Sequence, residues 1–410
     1  MDRIDLTYNR ARLFLGGYTM AYTYAVLGAG RQGTAAAYDM ARWGDASRVL
    51  LVDRDLAIAE LAAQRVNQLI GSKVAVGTQV EVTDMAALEN VLRGVDAFVS
   101  AVPYYYNLDI TRLAVKVKAS MCDLGGNTDI VRQQHAFDAE ARNQGISIIP
   151  DCGQVPGLGT SLTVYTMGLL DEATDVYMWD GGIPQNPQPP FNYLLTFHVA
   201  GLTNEYAEPA IFLRDGKVTR VEPMTELENV EFPDSVGTLE AFVAGGGTST
   251  MPWTFEGKLR TLQNLTLRYP GHFKQLRAFW DLGLWDLKPV SVGKNEVVPR
   301  DVFHALYEPM VTFPNDPEKS KDIVFVRVKA LGKKDGRPAY AEVELEDHFD
   351  ETTGFTAMER TTGWDAAIVA EMMAHGLTPR GAGGVESFVP TEIFMNELRR
   401  RGFHIKEKVE

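Results

Sequence analysis

This 410-residue chain contains only two cysteines, Cys122 and Cys152. Neither stands at metal-ligand spacing from a histidine or from the other, so the sequence offers no zinc-type cluster. Two thiols also exclude a disulfide scaffold and fit reduced, buried side chains near strand ends, as in a cytoplasmic protein. Excess positive charge is missing as well. Forty Lys and Arg face 54 Asp and Glu, a net charge of −14, which argues against non-specific nucleic-acid binding. No apolar run approaches the roughly 20 residues of a membrane span. Residues 1–19 have mixed charge and lack the apolar core of a signal peptide. With Met20 just ahead of the first strand-like run, they read as an N-terminal extension outside the fold. Repeats and long low-complexity tracts are absent. What remains, 45% hydrophobic and 23% charged residues, is ordinary for a soluble globular protein of two or three domains.

The richest stretch runs from Tyr24 to Asp53. Ala25-Val26-Leu27 reads as a buried strand. Gly28-Ala29-Gly30-Arg31-Gln32-Gly33 follows, then an alanine-rich helix over 34–42 and a second strand over 48–52 ending on Asp53. Strand, glycine turn, helix, strand and acid, with the acid about 20 residues past the last glycine, is the order a dinucleotide fold requires. Gly28 permits the tight turn, Gly30 lets backbone approach a pyrophosphate, and Gly33 lets the helix pack close to the strand. The helix start offers free N–H groups to phosphates. Asp53 suits ribose hydroxyls and its charge repels a 2′-phosphate, which favours NAD. Arg54 beside it leaves NADP open.

Strand-like and helix-like runs alternate to about residue 155, which predicts an α/β Rossmann-type, doubly wound parallel sheet. Helices are expected over 56–69, 85–92, 108–118 and 130–144, and strands within 74–82 and over 97–101, 120–124 and 147–150. Ligands of such sheets bind beyond the carboxyl ends of the strands. Cofactor contacts are therefore expected at Asp84, Ala101, Val102, Pro103 and Asn127, with Tyr104, Tyr105 and Asp151 lining the same crevice. The expected domains are 20–156 for the dinucleotide, 157–350 as a mixed α/β substrate and dimerisation domain, and 351–410 returning to the first. Lys333 to Arg337 reads as a hairpin turn. Helices are expected over 362–375 and 390–403.

In the second domain Thr248, Ser249 and Thr250 follow three glycines, a donor-rich loop suited to a carboxylate. Arg268 offers a planar fork for the same purpose. His272, next to a glycine-proline turn, reads either as a general base or as a structural histidine. His135 and His375 fall on helices and read as surface residues. Phe279-Trp280 and Leu284-Trp285 suit either core or a subunit interface.

The glycine turn, Asp123-Leu124-Gly125-Gly126 and the D-x-G-x-x-P-G-L junction from Asp151 to Leu158 resemble the saccharopine dehydrogenase superfamily over almost the whole chain after Met20. Gly181 to Pro184, Glu240 to Phe242, Gly246 to Thr250, Arg268-Tyr269 and Gly271-His272 resemble its lysine 6-dehydrogenase branch. That resemblance implies NAD-dependent oxidation of the ε-amine of L-lysine in a homo-oligomer, with ammonia release. It further implies Arg268 and the Thr248–Thr250 loop on the carboxylate, Asp151 or a Tyr104–Tyr106 hydroxyl on an ammonium, and His272 as base. The alternatives are a saccharopine or carboxynorspermidine dehydrogenase using NADP(H), and a non-catalytic dinucleotide sensor.

Overall fold

The computed structural model describes residues 21–232 and 236–410, so the expected extension, 1–19, lies outside the described residues. The first sheet is formed by β1 (Tyr22–Leu27), β2 (Ala46–Asp53), β3 (Ala75–Gln79), β4 (Ala97–Ser100), β5 (Ser120–Asp123) and β6 (Ser147–Ile149). The second sheet uses β7 (Glu172–Pro184), β8 (Ala210–Arg214), β9 (Lys217–Val221), β10 (Glu228–Phe232), β11 (Gly237–Val243) and β12 (Thr261–Arg268). A separate hairpin, β13 (Val290–Val292) and β14 (Asn295–Val297), precedes β15 (Asp322–Lys334) and β16 (Arg337–His348) of that second sheet. Near the end come β17 (Gly381–Ala382) and β18 (His404–Val409).

The first sheet is parallel and seven-stranded, in the order β17-β6-β5-β4-β1-β2-β3. Buried on both faces, its central strands are continuous apolar runs rather than alternating ones. β1 and β4 are adjacent, and the chain returns on the far side of β1 to make β2 and β3. The order thus reverses beside β1, and the crevice beyond its carboxyl end is where open α/β sheets take ligands. The seventh strand, β17, was not expected. It comes from the C-terminal segment and pairs with β6.

The second sheet is nine-stranded and mixed; β7 and β12 run parallel at its centre and its other pairs are antiparallel. The hairpin expected at Lys333–Arg337 joins β15 to β16 through Asp335 (φ 51°) and Gly336 (φ 72°). Two successive left-handed residues match the twist of the strands they connect. One face of this sheet, with Met178, Leu262, Val324, Val326 and Val328, shares a single buried core with the helix Leu158–Gly168 and the first sheet. The two sheets are therefore welded rather than linked.

The C-terminal segment does the stitching. Helix Asp365–Ala374, buried over almost its whole length, packs on β4, β5 and helix Arg31–Trp43. Arg401 grips both carboxylate oxygens of Asp39 at 2.7 and 2.8 Å and reaches Glu371 at 2.9 Å, all buried. Breaking such a buried ion pair typically costs about 3–5 kcal/mol. The last strand, β18, leaves the first domain again and pairs with β16.

Three expectations need correction. The helix expected over 130–144 is two helices, Thr128–His135 and Asp138–Gln144. The break frees Asp138 to accept the Ala382 N–H at 3.0 Å and so to fasten β17. The helix expected over 362–375 opens with a π-turn, Arg360–Trp364. There Gly363 lies so close to helix Arg31–Trp43 that a Cβ would stand 2.7 Å from the Gln32 carbonyl oxygen. His135 and His375 are half-buried rather than surface residues, and the His375 ring stacks edge-on against Tyr22. Of the two readings open for the aromatic pairs, core holds for Trp285, which joins an aromatic cluster with Tyr206, Phe303 and Tyr307 against which Phe279, Trp280 and Leu284 pack.

Candidate functional site

The glycine turn has the geometry its sequence requires. Gly28 has φ 95°, and a Cβ there would lie 2.6 Å from the Ala101 carbonyl oxygen at the end of β4. A Cβ on Gly33 would stand 1.9 Å from the Gly28 oxygen, so only glycine lets the helix seat on the turn. A Cβ on Gly30 meets no atom of the described residues within 4 Å. The space beside that residue is open, as a site that admits a pyrophosphate must be. Helix Arg31–Trp43 begins at Gly30 with no side-chain cap and no acid in its first turn. Its first N–H groups and the positive end of its dipole face outward, a cradle suited to an anion. Asp53 accepts the Ala29 N–H at 2.9 Å and the Asp55 N–H at 3.0 Å, so the acid is locked to the turn. A carboxylate has lone pairs left for hydroxyls. These residues fit a dinucleotide.

Other residues expected at this end occupy distinct places. Arg31 is half-exposed and pairs with Glu359 at 2.7 Å, tying the turn to the C-terminal segment. Arg54 is exposed. Asp84 is exposed and caps helix Met85–Leu92 by accepting the Ala87 N–H at 3.0 Å. Ala101, Val102 and Pro103 follow β4 against the glycine turn, with the Ala101 N–H bonded to the Leu27 oxygen at 2.7 Å. The Asn127 Oδ1 caps helix Thr128–His135 through the Ile130 N–H at 3.1 Å.

Beyond the carboxyl ends of β4, β5 and β6 three groups converge. The Tyr104 ring lies on Gly126, where a Cβ would come 3.0 Å from the ring. Asp151 presses on Gly125, where a Cβ would meet its Oδ1 at 2.3 Å. Asp151 has φ 62°, and the Ser249 hydroxyl that donates to its Oδ2 belongs to a residue with φ 43°. Two non-glycine residues held left-handed at one contact is the kind of local strain that gathers at functional sites. Asp151 Oδ1 is buried and has no hydrogen-bond partner among the described residues. Burial and the nearby Asp123 carboxylate push the Asp151 pKa up to about 7, against the Ser249 hydrogen bond, which lowers it. Tyr105 is 58% exposed and turns away from this group, its ring on Tyr104 and Tyr106.

A partly enclosed cavity of about 50 Å³ lies next to the Asp151–Leu158 junction, lined by Gln154, Asp180, Glu205, Asn264, Thr266 and Arg268 among others. At ~10–15 Å³ of such space per water it has room for about four waters, enough for a polar head group. The strands explain the composition. On β12, Asn264, Thr266 and Arg268 share a face, and Asp180 of β7 lies directly opposite Thr266. They continue the apolar stripe of Leu262 and Met178 into a polar end. Gly182 keeps the floor low, since a Cβ there would meet the Met358 side chain at 2.7 Å.

Arg268 is buried. Its Nε donates to the Tyr206 hydroxyl at 2.8 Å and its Nη1 to the Leu267 carbonyl at 2.7 Å. Its guanidinium also lies over the Tyr193 ring, 5.3 Å from the centroid. A five-donor fork still has N–H groups for a ligand. Burial raises the Asp180 pKa to about 6, with the Asn264 amide and Arg268 opposing. Burial likewise raises Glu205 to about 8, with Arg268 opposing. Gln154 Nε2 and Asn264 Oδ1 are buried and have no hydrogen-bond partner among the described residues.

Of the expected substrate contacts, the structure brings only Arg268 to this cavity. The Thr248 hydroxyl donates to the Ile211 carbonyl at 2.6 Å and Thr250 to Glu386 at 2.8 Å. His272 stands one layer behind. Its Nε2 is 3.2 Å from the Tyr206 hydroxyl, which already accepts from Arg268. Burial, reinforced by Arg268, holds the His272 pKa well below its ordinary value, so the imidazole is neutral. Gln154 lies in the Asp151–Leu158 junction that the sequence singles out, whereas sequence reasoning missed Asp180, Glu205 and Asn264. The available signal was polar residues at alternate positions of an otherwise apolar strand, Asn264, Thr266 and Arg268, and an acid just before Gly181-Gly182.

Comparison with known proteins fits this architecture. The profile of the saccharopine dehydrogenase NADP binding domain matches residues 24–149, and that of the saccharopine dehydrogenase C-terminal domain matches 153–403. The mitochondrial alpha-aminoadipic semialdehyde synthase of Rattus norvegicus is 24% identical over 254 residues, 59% of this chain and 27% of that protein. The NADP(+), L-glutamate-forming saccharopine dehydrogenase of Pyricularia oryzae is 24% identical over 212 residues, 50% of this chain and 46% of that protein. The chain thus spans a quarter to a half of the length of these relatives. The solved apo saccharopine dehydrogenase (L-Glu forming) from Saccharomyces cerevisiae superposes with a TM-score of 0.76 at 20% identity, covering 95% of this chain and all of that one. The chain belongs to the saccharopine dehydrogenase family.

Proposed function

We propose that this chain oxidises the ε-amine of L-lysine with NAD, releasing ammonia and leaving a semialdehyde that cyclises to piperideine-6-carboxylate. The observation that carries the reading is the cavity: one guanidinium, Arg268, faces two acids, Asp180 and Glu205. An α-amino-acid head, one carboxylate and one ammonium, complements that charge set, and a single guanidinium leaves the two further carboxylates of a tricarboxylate such as saccharopine unpaired.

The glycine turn, the start of helix Arg31–Trp43 and Asp53 would hold the dinucleotide, which supplies the hydride acceptor when bound. Asp151 is the base: its orphaned Oδ1 and a pKa of about 7 suit it to take the proton that the ε-ammonium must shed before oxidation. Ser249 fixes the orientation of that carboxylate, and Tyr104 closes the crevice over Gly126. Loss of hydride from the ε-carbon leaves an iminium. Addition of water then yields the aldehyde and ammonium. In this reading His272 is a positioning residue, holding Tyr206 and through it Arg268, and Thr248 and Thr250 brace the loop that carries Ser249.

A saccharopine-type reaction with NADP(H) is the second reading, favoured by the names of the relatives and the exposed Arg54. Initial rates with NAD and NADP, against L-lysine, L-ornithine, L-saccharopine and no amine, separate the two. Lysine-dependent NAD reduction with equimolar ammonia is expected. Turnover of saccharopine alone overturns the lysine reading, and dinucleotide binding without any turnover favours a sensor.

A further inference from the structure

Resting on the reading of the substrate as a diamino acid, we propose that the cavity between β7, β12 and helix Val199–Ala207 grips the α-ammonium and α-carboxylate head of the substrate. Glu205 and Asp180 hold the ammonium, and Gln154 joins Arg268 on the carboxylate. The reacting amine lies instead at Asp151.

Four observations support this placement. First, two buried polar atoms of the cavity lack a close partner among the described residues and are of opposite kind: Gln154 Nε2, near enough to Asp180 to help lower its pKa and with a second N–H to donate, and Asn264 Oδ1, which accepts. A carboxylate needs the first and an ammonium the second, so a zwitterion satisfies both at once. Buried polar groups are rarely left unpaired without a reason of this sort. Second, the ionisable groups divide in the same way, with Arg268 for the carboxylate and Asp180 and Glu205 for the ammonium. Glu205 is half-buried, and an ammonium beside it favours its ionised form over the neutral form that burial alone favours. Third, the cavity of about 50 Å³ has the size of a polar head group and is open on one side, so an aliphatic stem can leave it. Fourth, both segments that meet at Asp151 also line the cavity: Gln154 and Val155 follow Asp151 on its own loop, and Gly247 lies two residues before Ser249, which donates to Asp151, so the cavity and the Asp151 carboxylate share two loops.

The test uses the full chain and three amines that differ by one group: L-lysine, 6-aminohexanoate without the α-ammonium, and cadaverine without the α-carboxylate. Glu205→Gln should lower kcat/KM for lysine about 10–100-fold, through KM, and leave 6-aminohexanoate within about twofold. Gln154→Leu should penalise lysine and 6-aminohexanoate and spare cadaverine. Equal losses on lysine and 6-aminohexanoate in Glu205→Gln would place that carboxylate on the reacting amine and overturn the proposal, as would no loss on lysine. If the wild type oxidises none of the three amines, the lysine reading fails while the cavity remains testable. Calorimetric titration of the NADH-loaded chain with L-norleucine, which has the head group and no second amine, should then show binding that Glu205→Gln abolishes. No binding, or equal binding by both proteins, overturns the proposal.

Discussion

The two ends of the crevice are made of different material. The dinucleotide end is backbone: three glycines, a helix start without a cap, and one acid fastened to the turn by two N–H groups. The cavity across from it is side chain: Gln154, Asp180, Glu205, Asn264 and Arg268. Backbone sites recognise what dinucleotides share, a pyrophosphate, and need only shape. Side-chain sites recognise what distinguishes one amine from another and need charge, which must be buried and therefore balanced. Substitutions should accordingly fail by steric exclusion at one end and by lost charge complementarity at the other. Asp151, between the two, should fail through its protonation state.

The largest effect is expected at Asp151. With a pKa of about 7, the base is protonated and idle in acid, so kcat/KM should climb about tenfold per pH unit up to that value. Asp151→Asn should remove this limb and cost about 10²–10⁴-fold; a pH profile of unchanged shape would exclude Asp151 as the base. Stability provides a control of opposite sign. Because the folded pKa is raised, ionising Asp151 drains stability as pH climbs from about 4 towards about 7. At pH 8 the asparagine variant should therefore melt no lower than wild type.

Next comes a paired substitution within the glycine turn. Gly33→Ala puts a methyl group 1.9 Å from the Gly28 oxygen, so the helix must back away. That should cost about 1–3 kcal/mol of stability and weaken NADH binding about 100-fold. Gly30→Ala meets nothing in the free protein, so its melting temperature should match wild type while NADH binding falls about tenfold. Calorimetry alongside thermal melts reads both quantities. Equal NADH affinity for Gly30→Ala and wild type would mean that no ligand approaches that open side.

Arg268→Met tests the opposite end. Removing one member of a buried charge set typically costs 2–5 kcal/mol, about 100-fold or more in kcat/KM for lysine. NADH affinity should not change. A loss of NADH binding as large as the loss in turnover would show the two ends to be one site, and would erase the distinction between them.

That distinction also decides what a reader of the sequence can see. The turn from Gly28 to Gly33 and its acid Asp53 lie within 26 residues because a strand, a turn and a helix must be contiguous. The cavity is set by register. Asp180 meets Thr266 only because β7 pairs with β12, and no local spacing records that pairing. Arg268 was visible as an arginine beside a turn, whereas Glu205 looks like any acid on a short helix. The hydroxyls of Thr248 and Thr250 misled for the same reason: the sequence shows donors but not that a carbonyl and Glu386 already occupy them. β17, two residues long, has no periodicity to detect and exists because Asp138 and β6 bind it.

The smallest effect should be cofactor choice, which turns on a single charge. Asp53 is locked to the Ala29 and Asp55 N–H groups, so its carboxylate cannot swing away from an incoming 2′-phosphate, and the repulsion is paid in full. Asp53→Asn keeps an oxygen for one of those N–H groups and removes the charge. The preference for NADH over NADPH should then shrink about tenfold, which is the scale of one partly solvated charge pair. The shift should fade at high salt, because the pair is screened over roughly a Debye length. Arg54→Ala should move the ratio the other way by weakening NADPH. If dissociation constants for both dinucleotides leave the ratio unmoved in Asp53→Asn, the acid serves only to hold the glycine turn. Selectivity would then have to come from outside the backbone-built end of the crevice.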